Sequence, residues 1–414
     1  MSAFTLPTPR SFSWYRRFQD GSTPMLLPSI EIHDVETAQE KPARRLKHLL
    51  KLNHITSSIL YNNFEFYNHV PHLLSTAYLL GGDADHLNRL YDAESQELEP
   101  WVDSPSEIGD AEDWRQYLGQ REFQRAYLDF FEDELVRHGY DWKFVVREYL
   151  CDDKKPLINS LIAGFGHPFI HMGYAYEMSS REVAMEALAM ASCCYNDDIA
   201  SLITDSYQRS HATYSTSSIF EIVSRVCRDT RFDGIFQTPG ANNCQKLFEC
   251  HKELLLEHWQ SWEIDPKDSL SQFRDCQKLA ATLLNTKTDG NNNDFFFVHV
   301  LTTSHALRVL IPEVLPKFHI TLLKQWFFLA LQVYVSQLRP PVDTESISKY
   351  DIGGKDWDWV SKHALTAEMS ISPHYIKPLR TLKEAAITWK DETDKFFLRA
   401  AVKFADGFKG FVGF

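Results

Sequence analysis

Four short segments concentrate histidine at or near helix starts, and the last adds a lysine. They are NHVPHLL (68–74), GFGHPFIHMGY (164–174), DFFFVHVLTT (294–303) and SPHYIKP (372–378). Imidazole is the commonest metal ligand and the side chain that most readily exchanges protons near neutrality. In the first segment Pro71 suits a first helical turn, where its missing N–H is not needed. His69 then precedes the helix and His72 lies in its first turn, so both can face one spot. In the second, a glycine turn leads to His167 at the cap and Pro168 at the helix start, with His171 one turn on. Pro168 excludes the HExxH zinc pattern. Gly164 and Gly166 form only half of a GxGxxG fingerprint. In the third, Asp294 is a good N-cap, and His299 is a lone polar group in an apolar helix. A buried histidine needs a partner for each ring nitrogen, and Thr302 and Thr303 are the local candidates. His305 turns to another face. In the fourth, Ser372 caps, Pro373 opens the helix, and His374 and Lys377 share a face at i and i+3. An ammonium is repelled by a metal. Lys377 becomes a ligand only by losing its proton through burial or by reacting with CO₂ to form an anionic carbamate. At each histidine the plain alternative, a hydrogen-bonded cap or core residue, stays open on spacing alone. Four imidazoles and one anionic oxygen suit a borderline ion such as Fe(II).

Holding such residues requires helices. Helical periodicity dominates, with candidates including Ala43–Leu60, Pro71–Leu80, Trp114–His138, Pro168–Met178, Glu182–Cys194, Asp294–Leu310 and Pro373–Trp389. The expected fold is all-α, a large irregular helical bundle with a buried central metal site. It should form a single catalytic domain over residues 1–414, with an N-terminal arm at 1–40 and surface loops at 94–113 and 338–354. The net charge of −13 over 414 residues gives no electrostatic reason to bind nucleic acid or anionic lipid. Residues 1–20 lack a signal-peptide core, and no stretch reaches the ~18 apolar residues of a membrane span. Seven cysteines without a CxxC pair fit reduced thiols. A cytoplasmic location, no membrane and no nucleic-acid partner are therefore expected.

At NHVPHLLSTAYLLG, GFGHPFIHMGYAYE, DFFFVHVLTTSHALR and SPHYIKPLR, whose order and spacing cover most of the chain, the sequence resembles the questin oxidase-like family. These are fungal enzymes that open anthraquinone rings in polyketide secondary metabolism and are described as Baeyer–Villiger-type oxygenases. Within the family the resemblance is closest to a non-haem iron-dependent dioxygenase that cleaves an anthraquinone C–C bond to a benzophenone-type product. It implies His69, His167, His299 and His374 as metal ligands, with a carboxylated Lys377 as the fifth. His72 and His171 are then placed in the substrate pocket or beside the ligands, as catalytic residues together with Lys377. The implied cofactors are Fe(II), O₂ and a CO₂-derived carbamate on Lys377, with NADPH as an external reductant. The implied partner is an aromatic polyketide of the anthraquinone class. No strand-borne GxGxxG offers a home for bound FAD or NADPH. Tyr174 and the Phe295–Phe297 run are candidate ring-stacking walls. The alternative reading is a metal-dependent hydrolase with a carboxylated lysine bridging two metals. It usually needs a β/α barrel with an HxH strand motif, and neither is visible here.

Overall fold

The computed structural model describes residues 23–109, 113–152, 154–204, 211–289 and 292–412. The segment read for a signal peptide and half of the proposed N-terminal arm lie outside them. The described chain is an all-α, irregular helical bundle. Its strands are short ladders. Leu60–Tyr61 pairs antiparallel with Phe66–Tyr67. Lys287–Asp289, Asn292–Asp294 and Phe411–Val412 form a three-stranded patch.

Three helices form the centre, and their sequences explain why. His167–Met178 is buried at every residue, Arg181–Cys193 from Val183 onward, and Phe295–Leu310 at all but its first. A helix apolar around its whole circumference belongs inside a protein. Phe295–Glu313 in fact passes the length and hydropathy test for a membrane span, contrary to expectation, but 89% of its apolar window is packed inside this fold. By contrast Ile219–Arg228 buries only Ile219, Ile222, Val223 and Val226, the spacing of one helical face.

The helix starts follow local chemistry. Asp294 accepts hydrogen bonds from the Phe296 and Phe297 amides at 2.8 and 3.3 Å, and Pro71, Pro168 and Pro373 sit in first turns. Ser372 occupies the N-cap, but its hydroxyl makes no capping bond. The single helix expected over Trp114–His138 is instead two 3₁₀ turns and the helix Gln124–Arg137, because Gly119 turns the chain at φ +82°. Helices at Ala84–Glu94, Asn242–Gln260, Trp357–Thr366 and Phe396–Gly407 were not anticipated. The first and second carry many exposed polar residues that blur the apolar period. A four-residue helix, Glu345–Ser348, interrupts the connection at 338–354.

Candidate metal centre

The four histidines assigned one per motif converge. His69, His167, His299 and His374 each present a ring nitrogen, and these atoms all lie within 4.8 Å of one another. His69, His167 and His299 are buried, and His374 is partly exposed. Each approaches from a different segment. His69 caps the Val70–Leu79 helix, and His167 opens His167–Met178. His299 lies in Phe295–Leu310, and His374 in the first turn of Pro373–Trp389. His167 is aimed by three successive left-handed residues, Gly164, Phe165 and Gly166 at φ +62°, +54° and +76°. Gly166 passes so close to the His299 helix that a Cβ there would lie 2.6 Å from Thr303 Oγ1.

Hydrogen bonding fixes what two of these rings offer. His69 Nδ1 lies 2.6 Å from the Tyr67 carbonyl and His167 Nδ1 2.7 Å from the Gly164 carbonyl. A carbonyl only accepts, so each Nδ1 carries the proton and each Nε2 keeps a lone pair. The two Nε2 atoms face each other at 3.2 Å. Two lone pairs repel at that distance, and a shared cation makes the contact favourable. His299 leaves both nitrogens buried without a partner, as does His374 with Nε2. Thr302, expected to serve His299, instead donates to the Val298 carbonyl at 2.9 Å. Burial, reinforced by Lys377 and by neighbouring imidazoles, holds His69, His167 and His374 well below the usual imidazole range. Burial and Lys377 lower His299 to about 3. The rings are thus neutral at pH 7, the state a metal requires. Tyr67 stacks on His167 with centroids 3.8 Å apart and planes 4° from parallel, which holds that ring in place.

Lys377 is fully buried, and its Nζ has no hydrogen-bond partner. Burial lowers its amine from 10.5 to about 7, with Glu94 opposing. Near neutrality an unmodified Lys377 therefore already offers a lone pair. Glu94 lies at the start of the segment read as an acidic surface loop. It ends a helix, and burial raises its carboxyl to about 7 despite Lys377.

His72 and His171 lie beside the four rather than among them. His72 Nε2 meets His171 Nδ1 at 3.1 Å, and His72 stands edge-on to His69 with centroids 5.2 Å apart. Glu186 bonds His171 Nε2 at 2.9 Å and His54 Nδ1 at 2.8 Å, and His54 Nε2 reaches Glu132 at 2.8 Å. Sequence reasoning missed Glu186, His54 and Glu132. A lone glutamate in the apolar run Val183–Cys193 was the available signal. His305 does turn away, to Glu177 at 3.0 Å, and Glu177 pairs with Arg380. Of the aromatic candidates, Phe295 lies 4.4 Å from His374 between centroids. Phe297 is core, and Tyr174 is buried with its hydroxyl on Thr76 at 2.7 Å.

Residues 66–382 match the family described as Questin oxidase-like. A questin oxidase from Aspergillus terreus is 24% identical over 81% of this chain and 79% of its own length. A Baeyer–Villiger oxidase from Pestalotiopsis microspora is 24% identical over the same shares, 81% and 79%. A Baeyer–Villiger monooxygenase from Aspergillus aculeatus is 25% identical over 82% and 78%. These findings correct the expected reaction. A Baeyer–Villiger monooxygenation inserts one oxygen atom beside a carbonyl, whereas the expectation was an iron-dependent C–C cleaving dioxygenase, and none of these relatives is named as one. The expected Fe(II), carbamate on Lys377 and NADPH fall with that dioxygenase, to which they were tied, and the lowered Lys377 amine needs no carbamate to offer a lone pair; a monooxygenation still draws its oxygen atom from O₂. The carboxylated-lysine hydrolase is overturned likewise, by an oxidase family and by an all-α fold in place of a β/α barrel. The chain belongs to the questin oxidase-like family.

Proposed function

We propose that this chain is a Baeyer–Villiger-type oxidoreductase that inserts one oxygen atom of O₂ beside a ring carbonyl of a hydroxylated, polyketide-derived aromatic such as an anthraquinone, the second oxygen atom leaving as water with two electrons from an external reductant. Its site is the histidine cluster, held around a divalent transition-metal ion. The observation that carries the site is the 3.2 Å approach of two lone-pair nitrogens, His69 Nε2 and His167 Nε2, beside the unpartnered His299. Buried polar groups without partners are rare and costly, and a cation satisfies all of these at once. His69, His167, His299 and His374 supply nitrogen donors, and Lys377 supplies its amine lone pair. Such an ion, when bound, would supply Lewis acidity at the site. Phe295, beside His374, offers an apolar face to a flat ring. His72 and His171 serve the substrate rather than the metal.

Two measurements test this reading. Elemental analysis of the purified protein should find about one transition-metal ion per chain, lost in His299→Ala. Turnover of a hydroxyanthraquinone should give a product heavier by one oxygen atom. A metal-free protein with full activity, or a product that has gained two oxygen atoms, would refute it.

A further inference from the structure

His69, His167 and His299 are buried, while His374 is partly exposed. The cluster therefore meets solvent at His374, and a substrate arrives from that side. Two half-buried rings stand there, Phe295 and Phe411. The Phe295 centroid lies 4.4 Å from that of His374. Phe411 lies 5.9 Å from Phe295, with the two planes at 83°. Rings nearly at right angles make a corner. A flat ring that stacks on one of them presents its edge to the other, and stacked and edge-on contacts are the two arrangements aromatic pairs prefer.

Phe411 reaches this place from the far end of the chain, and the segment that carries it is fastened at several points. Phe411–Val412 pairs in parallel with Asn293 and Asp294, and the Asn293 amide donates to the Gly410 carbonyl at 3.1 Å. Asp294 is the N-cap of the helix that Phe295 begins. Lys287 Nζ donates to the Gly407 carbonyl at 2.7 Å. Phe408 packs on Phe411 and on Tyr375, each with centroids 4.8 Å apart, and Tyr375 follows His374 in its helix. The C-terminal segment is thus tied to the helix start that bears Phe295 and to the one that bears His374. Phe411 is fixed relative to both, yet its ring keeps part of its surface in solvent.

We propose that Phe411 is a specificity-determining residue: with Phe295 it forms an aromatic corner beside His374 that holds the outer ring of a fused, planar substrate and so favours several-ring ketones over single-ring ones. This rests on the substrate class proposed above. It makes the C-terminal strand part of the substrate site. A ketone of one ring, placed at the histidines, does not extend past Phe295 to Phe411, whereas a fused tricycle does.

Binding of two probes to the full-length protein, followed by quenching of tryptophan fluorescence, tests this. One is a dihydroxyanthraquinone, with three fused rings, and the other is 2-hydroxyacetophenone, with one. Phe411→Ala should weaken the three-ring probe about five- to tenfold, the loss of one aromatic contact, and the one-ring probe by less than about twofold. Phe411→Tyr, which keeps the ring face, should bind both as the wild type does. Val412→Ala loosens the same strand without removing a ring, and it should leave both affinities unchanged. Where the wild type turns over the anthraquinone, the loss in Phe411→Ala should fall on KM, with kcat within about twofold, because the ring lies away from the reacting carbonyl. Unchanged three-ring affinity in Phe411→Ala, an equal loss for both probes, or the same loss in Val412→Ala would overturn the inference. Failure of the oxygenase reading would look different: the binding pattern would persist without turnover. If neither probe bound the wild type, the substrate class and the inference would fall together.

Discussion

Replacing Lys377 with methionine should stabilise the metal-free protein, and the gain should shrink as pH rises. Lys377 is buried without an anion against its amine, and burial lowers that amine from 10.5 to about 7. Each factor of ten in proton affinity is worth about 1.4 kcal/mol. Between pH 7 and 10.5 the unfolded chain binds more protons at this lysine than the folded one, so wild-type stability rises with pH across that window. At pH 7, where the buried amine is half protonated, its burden is about 4 kcal/mol, and at pH 9.5 it falls to about 1 kcal/mol. Methionine has a similar length and no charge, so the variant should be more stable than wild type by about those amounts, less some imperfect packing. Urea unfolding of chelator-treated wild type and Lys377→Met at the two pH values measures both gaps directly. Other groups titrate in this range, and the difference between the two proteins removes those that Lys377 does not influence; Glu94, near 7 and interacting with Lys377, is removed by making the comparison in a Glu94→Gln background. The same variant should bind metal more weakly, so added metal should reverse the order of stability. A gap independent of pH, or a variant less stable than wild type at pH 7 without metal, would refute the assignment of Lys377 as a buried, unpaired amine.

Three further outcomes follow from the same geometry. Gly166→Ala should cost about 1–3 kcal/mol through its positive φ and the 2.6 Å approach to Thr303 Oγ1, and it should weaken metal binding by displacing His167. Gly234→Ala, at φ +73° with open space around it, should cost less and leave metal binding intact, as thermal melts and metal titration would show. Arg380→Met strands the buried Glu177 carboxylate with only His305 and should destabilise by about 3–5 kcal/mol in urea unfolding. Glu132→Gln should destabilise by about 1–3 kcal/mol at pH 6. Burial disfavours a charged His54, but Glu132 and Glu186 at 2.8 Å raise it to about 10, so that difference should be complete below pH 6.5 and fade as pH rises through 10; a difference that grows with pH would exclude a His54 imidazolium held between two carboxylates.

The helix starts and the residue types that meet are legible along the linear chain. Pro71, Pro168 and Pro373 lack the N–H that an inner helical turn needs, so they open helices, and Asp294 caps one through its own carboxylate. These are local effects within a few residues, which is why the four histidine-bearing segments stand out, while the choice of His69, His167, His299, His374 and Lys377 within them came from the family resemblance. Some local readings failed where a single residue broke the period, as at Gly119, or where an exposed helix such as Asn242–Gln260 hid its apolar face among charges. Which histidines share a point in space depends on how the helices pack. His69 and His72 are three residues apart, but one meets His167 and the other meets His171, because the packing of two helices 98 and 99 residues apart in the chain sets the pairing. The hydrogen bonds joining His171, Glu186, His54 and Glu132 could not be read from spacing at all. These residues lie on separate helices, and which of them meet is a property of through-space contacts that no linear pattern encodes.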